Sequence, residues 1–426
     1  MKPSHKERKS NKNNSTTAQG ISAVLAAMRN VAEDECRRST HDIPINAVQL
    51  ESYLSTKLGG DNWSVSKADT AGVTSEYYRG ICATSGQRVF VKLAKPTKGG
   101  RIQDAGLLTG ASEVEFYNRL TSALDKTSTS MLGDKVHMPT SMVAESSRHR
   151  SRYVVVLEDL SPTNGANNGD NEEEKQENSK HIRFIQPVQA LPTSDVKLIL
   201  RALAAIHGKY WEDEDAIPSI YQKRTNRASK LVGLIIGKTI KQFRTKGGLI
   251  EPRSDTDRII AATQRLGGIF AMDALLDALH PDLRTLVHGD CHGANIFMVE
   301  DENSNQEVGL LDWQTYFYGN PLADVASVLI MCLSAEDFAE HREVLMKYYL
   351  DALCECGIDI NVTTDMLHEA VCCRTAYYLS GTLLGIAFVG MDDPERQGML
   401  DRGWAMISRK ASMLDLATFL EARLPE

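Results

Sequence analysis

The sequence predicts an α+β protein whose first part is rich in strands and whose second part is mainly helical. Three observations lead to this prediction. Short runs of alternating or unbroken apolar residues, which are typical of strands, cluster before residue 160. Apolar residues at helical spacing dominate after residue 183. Between the two parts, residues 161–180 are rich in Asn, Glu and Gly and hold no large apolar side chain, which predicts disorder.

These patterns divide the chain into four expected segments. They are a disordered tail at 1–20, an N-terminal lobe at 21–160, a disordered insertion at 161–182 and a C-terminal lobe at 183–426. The tail is basic and polar, and it lacks the apolar core of a signal peptide. A short amphipathic helix is expected directly after the tail, at 21–29.

The composition is that of a soluble globular protein of 426 residues, with 42% hydrophobic and 24% charged side chains. Its formal net charge of −8 argues against a nucleic-acid partner. The 8 cysteines show no CxxC spacing, which favours free thiols in a reducing, cytoplasmic compartment. The longest uncharged run, 375–391, is short for a membrane span and contains three glycines, so a buried helix and no membrane partner are expected. The oligomeric state stays open.

The N-terminal lobe shows a regular succession of strand patterns. Strands are expected at 63–67, 77–83 and 88–94, and a helix is expected at 111–121. An unbroken apolar run at 153–157 predicts a central strand that is buried on both faces.

The C-terminal lobe is expected to open with a helix capped by Ser194, because serine is a favoured residue at that position. Apolar residues then recur at helical spacing, and further helical patterns run over 256–280 and 322–426. Between these patterns lies a strand-like stretch at 284–312 in which polar residues cluster. This stretch carries the clearest chemical pattern in the chain.

The pattern consists of two carboxylates and an amide at the ends of two short strands. Asp290 follows an apolar strand, Asn295 follows five residues later, and Asp312 ends a second strand at 308–311. A polar turn at 300–306 predicts a hairpin, which would bring the three side chains to one end. In phosphoryl transfer, one carboxylate accepts the proton of the attacking hydroxyl, while an amide oxygen and a second carboxylate hold Mg²⁺. A turn-forming aspartate is the structural alternative for Asp290, but the joint pattern favours catalysis.

These motifs resemble one known superfamily of enzymes. HGDCHGAN at 288–295, followed by LLDWQ at 310–314, resembles the aminoglycoside phosphotransferase and choline kinase superfamily. The run DWQTYFYGNPLADVASVL at 312–329 is most similar to its ecdysteroid kinase-like branch, and the similarity covers about residues 60–420. The resemblance implies a two-lobed protein-kinase-like fold. It also implies Mg²⁺-dependent transfer of the γ-phosphate of ATP to a hydroxyl group of a small molecule.

The resemblance also assigns roles to the residues of the hairpin. Asp290 would be the catalytic base, and Asn295 and Asp312 would bind the metal. His288, His292 and Asp324 would support them from positions beside the motif. For Asp324, an acidic residue in the first turn of a helix is nearly as good an interpretation. Two positions after the aspartate, the ecdysteroid kinase-like branch often has an aromatic residue, whereas this chain has His292, as aminoglycoside kinases do. The branch, and therefore the acceptor, stays open.

The nucleotide site is expected in the N-terminal lobe. Lys92 matches the phosphate-binding lysine of the superfamily and needs a carboxylate partner. The helix at 111–121 offers Glu113 and Glu115. Glu113 shares a face with Phe116 and other apolar residues, so it is the expected partner.

The adenine and the phosphates are expected to contact two further segments. Backbone groups of Glu158, Asp159 and Leu160 would bind the adenine. The loop at 69–75, which contains Gly72 and Ser75, would cover the phosphates, although an ordinary hairpin turn explains the loop equally well.

Two other functions fit the same motifs less well. A nucleotide-binding pseudokinase that acts as a scaffold predicts the loss of a motif residue, and Lys92, Asp290, Asn295 and Asp312 are all present. A protein kinase predicts an Arg between His288 and Asp290 and DFG and APE motifs, which this sequence lacks. Sterols, choline, amino alcohols, aminoglycosides and sugars all remain possible acceptors.

Overall fold

In the computed structural model, most of the chain is described, and it folds into strands and helices. The described residues are 43–44, 46–71, 75–94, 109–119, 136–147, 152–161, 181–215, 217, 254–269, 271–300, 306–389 and 394–425. The strands are β1 (Trp63–Ala71), β2 (Ser75–Cys82), β3 (Arg88–Ala94), β4 (Val136–His137), β5 (Ser141–Ser146), β6 (Tyr153–Glu158), β7 (His181–Phe184), β8 (Thr285–Val287), β9 (Ile296–Glu300), β10 (Gln306–Leu310) and β11 (Phe317–Gly319). The helices are α1 (Ala47–Leu58), α2 (Thr109–Arg119), α3 (Thr193–Lys209), α4 (Asp255–Leu266), α5 (Ala271–Leu279), α6 (Leu322–Cys332), α7 (Ala335–Glu355), α8 (Thr364–Val389), α9 (Pro394–Ala411) and α10 (Leu416–Glu421).

The predictions for the tail at 1–20 and the short helix at 21–29 fall outside these residues. Parts of three further predicted segments are also not described, namely 162–180 of the insertion, 72–74 of the loop at 69–75 and 301–305 of the turn at 300–306. The chain divides into two units. The first comprises residues up to Val114 together with Val143–Val156, and the second comprises Glu115–Met142 and Leu157–Glu426. The lobe boundaries expected from the sequence stay a prediction.

The first unit is built on a five-stranded sheet with the order β1–β2–β3–β6–β5. β1, β2 and β3 form an antiparallel meander in which Tyr77 lies opposite Lys92. β6 is an inner strand, and its residues Tyr153 to Val156 are fully buried. The prediction of a central, buried strand at this position is therefore confirmed.

The second unit contains two small sheets. One has the order β4–β10–β9–β7, and the other pairs β11 with β8. β9 and β10 form the antiparallel hairpin that the sequence predicts, with Ile296 opposite Leu310. This register fixes the residues just outside the hairpin, since Asn295 directly precedes Ile296 and the Leu311 N–H donates to its carbonyl (2.9 Å).

The predicted start of the first long helix is wrong by a small margin. α3 begins at Thr193 with Pro192 as its N-cap, and the carbonyl of Pro192 accepts from the N–H groups of Asp195 and Val196. Ser194 therefore lies within the first turn. The reason is tertiary, because the buried residue Leu191 donates its N–H to the Cys332 carbonyl and so fixes the chain just before the helix.

The remaining helices make up most of the second unit. The helical pattern at 256–280 is interrupted, because α4 ends at Gly267, which has φ = 119°, a value that favours glycine. α6 is almost wholly buried, and α8 packs against it. Lys410 of α9 is fully buried and donates to the Ile330 and Leu333 carbonyls at the C-terminal end of α6. Among the described residues, no helix is long and apolar enough to span a membrane. The fold is α+β, with a strand-rich first part and a mainly helical second part, as the sequence predicts.

Candidate active site

The loop from β8 to β9 carries Asp290, and its path depends on the glycine before it. Gly289 has φ = 83°, in the region that side chains other than glycine rarely adopt. A Cβ atom at this position would lie 2.4 Å from the carbonyl oxygen of Thr315. Glycine is therefore the residue that allows the chain to turn here and to present Asp290.

The backbone groups around this turn are all hydrogen-bonded within the protein. The N–H groups of His288 and Gly289 donate to the two carboxylate oxygens of Asp324, at 2.6 and 2.9 Å. The Asp290 N–H donates to Nδ1 of His288 (3.3 Å). Because His288 accepts at Nδ1, its proton lies on Nε2, which donates to the Leu311 carbonyl (2.9 Å). The loop is consequently held in one conformation.

Asp324 lies in the first turn of α6, and it also contacts the loop. Both interpretations made from the sequence therefore describe its position. Its side chain is fully buried, and Oδ2 lies 3.4 Å from Nε2 of His207 on α3. Burial, the largest single effect, opposes its charge. The hydrogen bonds from His207 and the His288 N–H, together with the attraction of these two histidines, outweigh burial, so the pKa of Asp324 is below its ordinary value.

The side chains of Asp290 and His292 lie next to each other in this loop. Oδ2 of Asp290 lies 3.5 Å from Nε2 of His292, and about a quarter of each side chain is exposed (24% and 26%). Burial is the largest single effect and opposes the charge on both groups. The attraction and the hydrogen bond between the two side chains, with added attraction from His288 and Arg374 on Asp290 and from Asp312 on His292, outweigh burial. The pKa of Asp290 is therefore below its ordinary value, and the pKa of His292 is above its ordinary value. Asp290 is thus an ionised carboxylate at neutral pH.

Asn295 and Asp312 lie at the same end of the β9–β10 hairpin, as the sequence predicts. Asn295 donates from Nδ2 to the Asp290 carbonyl (3.0 Å), so its Oδ1 is turned away from that bond. Asp312 has φ = 62° and ψ = 64°, an uncommon conformation for a residue other than glycine, and its side chain is partly exposed. Such strain is often found at functional positions.

The donor set fits a hard divalent cation. Amide and carboxylate oxygens suit Mg²⁺, which usually takes one or two protein carboxylates together with phosphate and water oxygens. Within the described part of the chain, no group of three or more His, Cys, Asp or Glu side chains is arranged to hold a metal ion by itself.

Trp313, the residue after Asp312, packs against residues on both sides of the site. Trp313 is fully buried, and its ring stacks on Phe116 with centroids 4.3 Å apart. The His288 ring lies 4.5 Å away on a tilted plane. The tryptophan therefore connects the strand end at Asp312 with the loop that carries Asp290.

Lys92 and Glu113 form a buried ion pair in the first unit. Nζ of Lys92 on β3 lies 2.6 Å from Oε2 of Glu113 on α2. Glu115, the other carboxylate of this helix, instead accepts from the Tyr316 hydroxyl (3.1 Å) in the second unit. The choice of Glu113 over Glu115 as the partner of Lys92 is confirmed.

The other residues expected to bind nucleotide are described only in part. The Ser75 hydroxyl is buried and lies 2.5 Å from that of Tyr153. Gly72 lies outside the described residues. Glu158, Asp159 and Leu160 are partly exposed at the end of β6, where the Glu158 N–H donates to the Thr140 carbonyl (3.0 Å).

Two buried residues near the loop were not predicted from the sequence. Nδ1 of His207 is hydrogen-bonded to the Tyr349 hydroxyl (2.9 Å), so His207 connects α7 with Asp324. Arg374 on α8 is fully buried and donates to the Gly289 carbonyl. Arg374 had a detectable signal, since it is the one charge within the long apolar stretch that follows His368 and Glu369.

The sequence comparisons identify a family model that covers the site. The model described as the ecdysteroid kinase-like family matches residues 84–362. This range includes Lys92, Glu113 and the whole β8–β10 region. No curated protein sequence gives a significant match.

Solved structures with a similar course of the chain come from several organisms. A Ralstonia eutropha protein classed as an aminoglycoside phosphotransferase has a TM-score of 0.47 at 15% identity and covers 90% of this chain and 100% of its own. A Plasmodium vivax ethanolamine kinase has a TM-score of 0.44 at 12% identity, with 91% and 95% covered. A choline kinase from Streptococcus pneumoniae has a TM-score of 0.45 at 13% identity, with 84% and 97% covered. All three are distant likenesses.

Proposed function

This chain belongs to the ecdysteroid kinase-like family, and on that premise we propose that it transfers the γ-phosphoryl group of ATP to a hydroxyl group of a small molecule, with Mg²⁺ as the metal. One observation carries the proposal. Asp290, Asn295 and Asp312 lie around one end of a single hairpin, inside the region that the family model matches. These are the side chains that phosphoryl transfer needs at one place.

Asp290 orients the acceptor hydroxyl and accepts its proton. Its carboxylate is ionised and partly exposed, so it is able to contact a substrate. The bond from Nδ2 of Asn295 to the Asp290 carbonyl holds the loop against the metal-binding side chain. His292 balances the charge of Asp290 while the hydroxyl approaches.

Asn295 and Asp312 would hold the metal through oxygen atoms. When bound, Mg²⁺ neutralises the charge on the β- and γ-phosphate oxygens. The left-handed backbone of Asp312 and the packing of Trp313 keep this carboxylate at the strand end. Lys92, oriented by Glu113, would contact the phosphates, and the backbone at Glu158, Asp159 and Leu160 would contact the adenine. The Ser75 hydroxyl is not part of the proposal.

The acceptor is a small hydroxylated molecule, and the cytoplasm is the proposed location. Seven cysteines of the described residues are free thiols, which supports a reducing compartment.

The proposal is tested by incubating the protein with ATP, Mg²⁺ and a library of hydroxylated metabolites, with detection of products by mass. We expect one metabolite to gain the mass of one phosphoryl group. Asp290→Asn should abolish the gain, whereas Asp351→Asn, at an exposed aspartate of α7, should not. A wild-type protein that binds ATP but neither phosphorylates a metabolite nor turns over ATP with Mg²⁺ would be a scaffold, and the proposal would be wrong.

A further inference from the structure

Arg374 joins three helices to the loop that carries Asp290. Its guanidinium donates from Nε to the Ser327 hydroxyl on α6 (3.0 Å) and from Nη1 to Oδ1 of Asp273 on α5 (2.7 Å). From Nη2 it donates to the Gly289 carbonyl (2.7 Å). The face of the guanidinium lies 4.0 Å from the ring centroid of Tyr377. The side chain is fully buried, so these contacts are shielded from water.

The contact with Gly289 acts on the peptide group that leads into Asp290. The carbonyl of Gly289 and the N–H of Asp290 belong to one planar peptide unit. Arg374 holds the carbonyl end, and Nδ1 of His288 accepts from the N–H end. A planar unit that is held at both ends cannot rotate about the bonds on either side of it. The direction in which the Asp290 side chain leaves the backbone is thereby set.

We propose that Arg374 is a positioning residue for phosphoryl transfer, which acts by fixing the Gly289–Asp290 peptide plane and so the direction of the Asp290 carboxylate. This inference rests on the proposed function of Asp290. Arg374 itself contacts neither the substrate nor the metal. Through Arg374, the packing of α5, α6 and α8 determines the position of the Asp290 carboxylate.

The arrangement requires arginine and not only a positive charge. Three donors leave the guanidinium in fixed directions and reach a carboxylate, a hydroxyl and a carbonyl at the same time. A lysine in this place would keep the charge beside Asp273, but its single ammonium cannot reach all three partners with that geometry. Arg374→Lys therefore separates the directional contact from the charge.

The test compares Arg374→Lys with Arg402→Lys, the same substitution at an exposed position of α9. If Arg374→Lys does not fold, the charge-neutral double variant Arg374→Met with Asp273→Asn replaces it, because removing both partners leaves no buried charge uncompensated. Two readouts are taken. Amide hydrogen exchange reports the 286–291 segment, and Mg²⁺-dependent turnover of ATP gives kcat and the KM for ATP.

For Arg374→Lys we expect faster exchange in 286–291, and a kcat lower by about 10²-fold, since misplacement of a reacting group by about 1 Å has an effect of that order. The KM for ATP should stay unchanged, and Arg402→Lys should match the wild type in both readouts. Unchanged exchange in this segment overturns the proposal, and so does faster exchange with an unchanged kcat. If the wild type itself turns over no ATP, the proposed function has failed, while unchanged exchange in the variant would still refute the hold of Arg374 on the loop.

Discussion

Nζ of Lys92 lies 2.6 Å from Oε2 of Glu113, and the two side chains are only 5% and 2% exposed. Removing one partner of a buried ion pair is strongly destabilising, by about 3–5 kcal/mol. We expect Lys92→Met and Glu113→Gln each to lower the melting temperature and to raise the KM for ATP. The double variant should recover much of the stability but not the affinity for ATP, as measured by calorimetry.

Glu115 provides the matched control for this prediction. It lies on the same helix, but its carboxylate accepts from Tyr316 and does not pair with Lys92. Glu115→Gln should therefore leave the KM for ATP unchanged. If Glu115→Gln weakens ATP binding and Glu113→Gln does not, the assigned roles of the two glutamates are reversed.

Asp290→Asn keeps the shape of the side chain and removes its charge. General-base assistance contributes on the order of 10²–10⁴-fold, so we expect the rate of transfer to fall by at least about 10²-fold. Binding of a non-hydrolysable ATP analogue should persist, because Lys92, Asn295 and Asp312 are untouched. Normal turnover by this variant would exclude Asp290 as the base, and joint loss of folding and binding would make it a structural turn residue.

Asp312→Asn tests the metal site without disturbing the backbone. Asparagine is one of the few residues other than glycine that adopt the left-handed conformation seen at Asp312, so the strand end should be preserved. Loss of the charged ligand should raise the Mg²⁺ concentration that is needed for half-maximal activity and should sharply reduce turnover. Asn295→Ala should have a milder effect on the Mg²⁺ requirement, since a neutral ligand is lost. Wild-type activity of Asp312→Asn at ordinary Mg²⁺ concentrations would show that Asp312 does not bind the metal.

Because Lys410 is buried, we expect the stability of the protein to depend on pH in the alkaline range. Burial lowers the pKa of Lys410 from 10.5 to about 8, and a neutral amine still has two N–H donors for its two carbonyl partners. Between pH 8 and 10.5, the unfolded chain holds a proton here that the folded chain has released. The free energy of unfolding therefore rises with pH across this window, by roughly 3 kcal/mol in all.

The variant Lys410→Met lacks this titration. We expect the difference in melting temperature between the wild type and Lys410→Met to shift in favour of the wild type as pH rises from 8 to 10. Groups common to both proteins cancel in this comparison. A difference that stays constant with pH would mean that Lys410 keeps its ordinary pKa in the folded protein.

The sequence predicts those parts of the site that depend on local spacing. Asn295 and Asp312 lie at one end of the β9–β10 hairpin, which the polar segment between two short strand patterns predicts. Lys92 pairs with Glu113 because helical periodicity separates the buried face of α2 from the face of Glu115. In both cases the pattern lies within one element or two adjacent elements.

The supports of the loop could not be predicted in this way. Arg374 contacts a residue 85 positions away, and His207 contacts one 117 positions away, so these pairs depend on how the helices pack. The prediction of where α3 begins is wrong for the same reason. Serine is a favoured cap in general, but the bond from Leu191 to Cys332 decides where this helix begins.

All three N–H groups of His288, Gly289 and Asp290 donate within the protein, two of them to Asp324 and one to His288 itself. None of these three amides is left to recognise an acceptor molecule. If the proposed reaction takes place here, selectivity among acceptors has to come from groups other than these three amides. An engineer could exchange the acceptor pocket while keeping the turn intact, and relatives could diverge in substrate while sharing one reaction centre.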